Sequence, residues 1–350
     1  AGFGNLLVDV GKTPPETFTW VMDLAQEKML NKNQVFKGNR SKLIDAAVTV
    51  SRACKFPSEK FVPATVDETT MQIHKSTSSG FPNFRRKHED LSVMQKVADK
   101  VWNAGKFMDV IFKWPTTRNF RLQLREDKQN NINSKVRVMY PYPSILIFLE
   151  DRFIIPFVNH FINNDTFYVI GRRGFEIGSR LKTVLRKSNN IISTDVDAFD
   201  QDLINEAIIL AFWILRNQLR LTRLQSLIFD NIVSYLCTCP LISRSKGEAI
   251  KVFVKHHGMP SGSGFTNMID TLAHAIIIAY VYPDLFEEGK LLICGDDNIC
   301  DFGNKDFKTL LDTYKLFSMN VSLEKTDFFT SWNRVRFLGF QWINGEMIIS

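Results

Sequence analysis

Leu291-Leu292-Ile293-Cys294-Gly295-Asp296-Asp297-Asn298-Ile299-Cys300-Asp301-Phe302 sets two short apolar runs around a Gly-Asp-Asp-Asn centre. That pattern reads as a β-hairpin: Gly, Asp and Asn accept the backbone conformations of a tight turn, and the flanks suit strands buried on both faces. Two adjacent carboxylates would then sit at its tip. Paired ionised side chains repel one another, and a pair raised on buried strands is costly unless a cation neutralises it. Mg²⁺ fits, because it takes hard oxygen ligands and commonly binds one or two carboxylates plus substrate phosphates. An ordinary hairpin turn uses the same residues, so the remaining chain has to supply the other parts of a site.

At 350 residues the chain can form two subdomains, or one large domain, around a sizeable core. Its 45% apolar and 23% charged content is that of an ordinary globular protein. The longest apolar runs, Ile145–Leu149 and Ala275–Tyr282, are too short to span a bilayer, and no signal peptide precedes them. Cys54, Cys237, Cys239, Cys294 and Cys300 form no CxxC or Cys/His grid and read as reduced thiols of a cytosolic setting. The net charge of +7 is uneven: residues 1–190 hold 30 Lys and Arg against 18 Asp and Glu, and residues 191–350 hold 14 against 19. A basic part joined to an acidic one suggests a polyanion surface beside a cation site. The absence of an initiator Met and the end at Ile348-Ile349-Ser350 read as a fragment.

Along the chain, helical stretches are expected over Glu16–Lys28 and Lys42–Cys54. Lys75-Ser76-Thr77-Ser78-Ser79-Gly80-Phe81-Pro82, followed by Arg85-Arg86-Lys87, could offer hydroxyls, backbone N–H groups and positive charge to phosphates. A second basic segment runs through Arg118, Arg121, Arg125, Lys128, Lys135 and Arg137 to Tyr140-Pro141-Tyr142-Pro143, and alternation puts Lys135 and Arg137 on one face of a strand. Such a row suits a triphosphate or a nucleic-acid backbone, and equally a solvated edge strand. Gly171-Arg172-Arg173-Gly174 is a further basic turn without an assigned purpose.

Ile191–Asp202 reads as strand, turn and helix, with Asp195 at the strand's end and Asp200 near the helix N-terminus. Asp197 and Asp202 read as solvent-exposed, although four acids in eight residues exceed what capping requires. His256–Thr266 is a Gly-rich loop entering a helix over Asn267–Tyr280; it lacks the Gly-Lys-Ser/Thr of a Walker loop, and its histidines read as exposed or packed. Phe307, Leu310, Leu311 and Tyr314 mark one helix face. Arg336–Ile343 then meets Asn344-Gly345, a strong hairpin signal, with Glu346–Ile349 as the return strand.

In order and content these features resemble the viral RNA-dependent RNA polymerases across most of the chain. Gly295-Asp296-Asp297-Asn298 resembles their motif C, and Asp195 with Asp200 the D-x4-D of motif A. Ser261-Gly262, Thr266 and Asp270 resemble motif B, which most often has Asn where this chain has Asp270. Lys135 and Arg137 resemble motif F, Thr77–Pro82 motif G, Lys325 motif D and Phe337–Phe340 motif E. Asp270 with Ser261–Thr266 is similar to the partitivirus and picobirnavirus branch of the picorna-like polymerases, whose genomes are double-stranded RNA.

The resemblance implies an α/β (α+β) right-hand polymerase: an antiparallel-sheet palm with helices, a mixed fingers subdomain, and a thumb largely absent. Residues 1–190 would be mainly fingers and 191–350 mainly palm, with some fingers structure between motifs A and B. It implies template-directed RNA synthesis with two Mg²⁺ ions ~3.5–4 Å apart, Mn²⁺ being able to replace them. Asp195, Asp296 and Asp297 would hold the metal, and Lys325 would donate a proton to the pyrophosphate. Lys135 and Arg137 would bind the triphosphate; Asp200, Ser261, Gly262, Thr266 and Asp270 would surround the ribose. Thr77, Ser78, Ser79, Gly80, Pro82, Arg85 and Arg86 would meet RNA. The implied partners are template and product RNA, NTPs and viral capsid protein, with no membrane, in the host cytoplasm inside the virion. A reverse transcriptase-like palm and a non-catalytic RNA-binding protein are the rival readings. Gly295 before the Asp pair, where reverse transcriptases usually have Tyr-x, argues against the first.

Overall fold

A computed structural model describes residues 34–72, 77–83, 85–117, 119–126, 132–243 and 251–348, with the side chains of 119–126, 132–138, 243 and 251 left aside. The expected helix over Glu16–Lys28, and Lys75, Ser76, Arg118 and Lys128, lie outside the described residues. Helix α1 (Arg40–Ala53) starts at Asn39, whose side chain accepts the Lys42 N–H at 3.2 Å. Next come α2 (Val66–Gln72), α3 (Lys87–Ala104) and the single turn α4 (Met108–Ile111). The short β1 (Thr116–Thr117) leads to an antiparallel hairpin of β2 (Asn119–Glu126) and β3 (Ile132–Met139). Lys135 and Arg137 lie on β3 opposite Gln123 and Arg121, as the alternation predicts. The chain continues through α5 (Ser144–Asn163) and α6 (Gly174–Leu185).

The second half opens with β4 (Ile191–Ser193), α7 (Phe199–Asp202), α8 (Asn205–Arg216), α9 (Arg223–Thr238), β5 (Pro240–Ser243) and β6 (Lys251–Val254). Helices α10 (Thr266–Val281) and α11 (Asp284–Glu287) precede the hairpin β7 (Leu291–Cys294) and β8 (Asp297–Asp301). After it come α12 (Phe307–Leu316), β9 (Asp327–Phe329), β10 (Arg334–Phe337), β11 (Phe340–Ile343) and β12 (Glu346–Ile348).

The central sheet runs β7-β8-β4-β9, antiparallel throughout. Tyr168 adds a parallel bridge at Ile293 on the β7 edge. Alternation along these strands sends Ile192, Leu291, Ile293 and Cys300 into the main core, and Ile191, Leu292 and Ile299 into a smaller core with Val169, Leu181 and Trp342. The sheet is therefore buried on both faces. Helix α10 lies on the main-core side and is buried almost all round from Met268 to Tyr280, as an apolar helix without a polar face must be.

Three expectations are corrected. Arg336–Ile343 is not one strand: Leu338 and Gly339 both take positive φ (55° and 75°), the pair a type I′ turn needs, and Asn344-Gly345 repeats it (52° and 84°). A three-stranded meander results. Asp202 is not solvent-exposed but buried, because one turn of α7 places it on the same face as the buried Phe199. The β4 strand ends at Ser193, two residues before Asp195, although a bridge between Val196 and Val321 keeps the segment extended beyond it.

Candidate active site

The hairpin turn consists of Gly295 and Asp296, closed by the pair Cys294↔Asp297. Gly295 has φ +66° and Asp296 does not share the positive value, which is the type II′ arrangement with Gly first. Asp296 therefore stands at the tip, whereas Asp297 is already the first residue of β8; both are exposed and Asn298 is buried. The β4–β8 register pairs Ile191 with Asp301 and Ile192 with Cys300. Carried onward, it sets Thr194 against Asn298, whose Nδ2 donates to the Thr194 carbonyl at 3.3 Å. Asp195 follows Thr194 directly, as Asp297 precedes Asn298.

Other carboxylates converge on the tip. Burial, followed by the charge of Asp296, pushes the Asp200 carboxyl up to about 6. Asp270 is buried in α10, and burial with Asp200 and Asp296 nearby holds its carboxyl well above the usual range. Its Oδ1 has no hydrogen-bond partner. A protonated Asp270 presents a single O–H donor, where the amide of the commoner Asn presents two N–H donors. Opposing these acids, Lys325 Nζ lies 3.1 Å from Asp197 Oδ1 and 3.6 Å from Asp195 Oδ1. The Asp197 hydrogen bond, then Asp195, raises the Lys325 ammonium further, keeping it charged.

Among the described residues no three His, Cys, Asp or Glu side chains are already gathered as a metal cage. Mg²⁺ requires less, since one or two carboxylates can hold it together with substrate phosphates and water. The half-buried Asp195 and the exposed Asp296, in a set of like charges partnered by a lysine, fit that demand.

Two loops are gripped by Tyr140-Pro141-Tyr142, the segment leaving β3. Ser261 Oγ accepts the Tyr140 N–H at 3.2 Å, and a Cβ on Gly262 would lie 2.1 Å from the Tyr140 carbonyl oxygen. On the other loop a Cβ on Gly80, whose φ is +64°, would lie 2.4 Å from the Tyr142 oxygen. The loops are thus built for contacts that only glycine permits. Thr266 turns its hydroxyl back to the carbonyls of Pro260 (2.8 Å) and Ser263 (3.0 Å), so it shapes the loop. Ser79 is buried, its Oγ bonded to Asp90 and to the Arg85 N–H, and it too is a loop builder. Thr77, Ser78, Pro82, Arg85 and Arg86 are exposed around it. The side chains of Lys135 and Arg137 lie outside what is described.

Several positioning residues have no signature in the sequence. Glu150, fully buried in α5, accepts from Tyr142 Oη (2.6 Å), Ser263 Oγ (2.8 Å) and the Gly264 N–H (2.8 Å), and so ties the Ser261–Thr266 loop to the preceding half of the chain. Burial pushes its carboxyl up to about 7 despite those bonds. Lys255 is buried and donates to the carbonyls of Cys237 (3.2 Å) and Gly258 (2.6 Å), while the Met259 N–H bonds the Asp200 carbonyl at 2.6 Å. On α10, Thr271 and His274 reach the hairpin turn itself. Arg172, from the basic turn of unassigned purpose, braces α5 by donating to the carbonyls of Phe161 (3.3 Å) and Asn164 (2.6 Å).

Residues 21–349 match the family described as viral RNA-dependent RNA polymerase. The chain belongs to that family. A relative within it, the RNA-directed RNA polymerase of Cryptosporidium parvum virus 1 (strain KSU-1), is 29% identical over 300 residues, 78% of this chain and 54% of that protein. Crystal structures of a human picobirnavirus RNA-dependent RNA polymerase, one with an insertion loop deleted, superpose with a TM-score of 0.66 in each case. They are 18% and 17% identical, covering 95% of this chain and 64% and 62% of theirs. The chain thus spans about half the length of this curated relative and under two thirds of the solved chains. Its architecture is the right-hand polymerase fold, and these matches support the partitivirus and picobirnavirus side of the family.

Proposed function

We propose that this chain carries the catalytic centre of a template-directed RNA synthesis, joining NTPs to an RNA 3′-hydroxyl in the replication and transcription of a double-stranded RNA genome. The observation that carries the reading is the hairpin tip, where Asp296 stands exposed on the turn, Asp195 lies 3.6 Å from Lys325, and the Asp200 and Asp270 carboxyls, raised first by burial, also feel the Asp296 charge. Asp195 and Asp296, supported by Asp297, would hold two Mg²⁺ ions, or Mn²⁺ in their place. When bound, such ions supply activation of the 3′-hydroxyl and neutralisation of the triphosphate.

The chain's own groups would do the rest. Lys325, held as an ammonium by Asp197, has a proton to give to the departing pyrophosphate. Asp200, Asp270 and the Ser261–Thr266 loop would face the ribose, where a 2′-hydroxyl separates RNA from DNA. Residues 1–190 would form the fingers and 191–350 the palm, with Phe167–Leu185 packed on the palm sheet. The exposed Thr77, Ser78, Pro82, Arg85 and Arg86 and the β2–β3 hairpin would receive template and triphosphate. By resemblance we also propose work inside the virion in the host cytoplasm beside capsid protein; among the described residues no helix is long and apolar enough to cross a membrane.

The deciding experiment is RNA-templated incorporation of labelled NTPs, with dNTPs in parallel, on a primed template with Mg²⁺. Incorporation of NTPs supports the reading, whereas a preference for dNTPs favours a reverse transcriptase. Binding of RNA without any synthesis favours the non-catalytic reading. In that assay Arg137→Ala is expected to raise the apparent KM for NTPs about tenfold, the effect of losing one charge-assisted phosphate contact. An unchanged KM and rate would remove Arg137 from the triphosphate site. Asp270→Asn is expected to change the NTP/dNTP ratio by severalfold, and at least about tenfold if Asp270 bonds the ribose directly. An unaltered ratio would take Asp270 out of the sugar pocket.

A further inference from the structure

Both backbone polar groups of Gly295 are held by one helix. Its N–H donates to Thr271 Oγ1 at 2.7 Å, and its carbonyl lies 3.1 Å from His274 Nδ1. Since a carbonyl can only accept, Nδ1 carries the hydrogen, and Nε2 is left to accept from Tyr314 Oη at 2.6 Å. The buried imidazole is therefore one tautomer with both nitrogens used. Its ring packs on Phe199 with centroids 4.8 Å apart, and Asn298 Nδ2, which also bonds the Thr194 carbonyl, approaches Nε2 at 3.4 Å.

His274 thus touches four segments that matter to the tip. Phe199 immediately precedes Asp200, Gly295 precedes Asp296, Asn298 follows Asp297 and itself bonds the Thr194 that precedes Asp195, and Tyr314 belongs to α12. The peptide unit that His274 holds is the one joining Gly295 to Asp296. Its orientation sets where the Asp296 side chain leaves the turn, and a turn held at both its N–H and its carbonyl cannot rotate that peptide freely.

We infer that His274, fixed in its Nδ1–H tautomer by the Gly295 carbonyl and oriented through Nε2 by Tyr314, is a positioning residue that sets the Gly295–Asp296 peptide and thereby the divalent-ion affinity of the catalytic tip. The inference rests on the metal role given to Asp296 above. It does not make His274 a ligand, and no substrate contact is assigned to it.

The test measures Mn²⁺ binding to the protein by the loss of the free-ion electron paramagnetic resonance signal, with melting temperature recorded for each variant. His274→Phe keeps ring volume and stacking but loses both hydrogen bonds. His274→Asn keeps an N–H near the Nδ1 position. The expected result is Mn²⁺ binding weakened about tenfold or more in His274→Phe, in the range seen when groups orienting a metal site are removed, and largely recovered in His274→Asn. A merely packing role would lower both melting temperatures without separating the two affinities. Equal Mn²⁺ affinity in His274→Phe and the parent would overturn the inference, and so would His274→Asn binding as weakly as His274→Phe.

If His274→Phe does not fold, Tyr314→Phe carries the test. It removes the bond that orients the imidazole from Nε2, and it should weaken binding severalfold with the fold kept; unchanged affinity would overturn the inference. Asp296→Asn separates the two readings. If it binds Mn²⁺ as the parent does, the metal assignment of Asp296 has failed; if it binds weakly while His274→Phe binds normally, only the role of His274 has failed.

Discussion

Asp296→Asn is expected to lower RNA-templated NTP incorporation by about three orders of magnitude, the rate equivalent of roughly 4 kcal/mol of lost transition-state charge stabilisation. The substitution keeps shape and removes only charge. Because Asp296 is exposed at the tip of a type II′ turn, the change should cost the fold within about 0.5 kcal/mol, the usual effect of a surface substitution. The sign of any stability change is favourable, since Asp296 is a source of the like-charge repulsion on Asp200 and Asp270. Removing it takes away that smaller contribution, while burial, the larger cause, keeps both carboxyls raised. RNA binding should persist, as the basic β2–β3 hairpin and the Thr77–Arg86 loop are untouched. Primed extension and filter binding on the same preparation check both halves; near-normal elongation in the variant would end the metal assignment.

Gly262→Ala should cut kcat/KM for NTP incorporation about 100-fold, through geometry alone. An added Cβ would lie 2.1 Å from the Tyr140 carbonyl oxygen and 2.9 Å from the Tyr142 Cβ. Neither neighbour is a flexible side-chain end, and both tyrosines are buried. The loop must therefore retreat by roughly 1 Å, a displacement that costs about 100-fold where reacting groups are held in register. The Ser261 bond to the Tyr140 N–H would stretch with it. Overpacking of this kind costs about 1–3 kcal/mol, so the melting temperature should fall by several degrees while the fold survives. Single-nucleotide extension measured beside thermal denaturation tests this, and incorporation within twofold of the parent would show that the loop does not have to sit where Tyr140 holds it.

Much of the local structure around the candidate site was legible in the sequence. The Asp pair between apolar runs, the Asp195/Asp200 spacing and the Gly-rich loop ahead of an apolar helix each depend on local backbone demands, which neighbouring residues impose. The hairpin, α10 and the β3 strand accordingly fall where periodicity and turn residues put them. Where expectation failed, a short-range rule was missed or a distant partner intervened. Leu338-Gly339 is a turn hidden in an apolar run, because Leu is an unusual residue at positive φ. Asp202 looked solvated because a single helical turn could not be phased from its sequence.

Order along the chain was enough to indicate the family, the acidic residues at the hairpin tip and the strands that carry them, since turn chemistry and hydrophobic alternation act over a few residues. Roles that depend on contact across the chain were decided only on folding. Nothing near Glu150 says that its carboxylate will fasten a loop more than a hundred residues away, and His274 is one polar residue in an apolar helix until Gly295 and Tyr314 arrive beside it. Ser79 and Thr266 looked like ligands for substrate and were turned inward by Asp90 and the Pro260 carbonyl. A buried polar group must find a partner, but which partner it finds is a property of packing, and packing joins segments whose separation in sequence carries no record of their meeting.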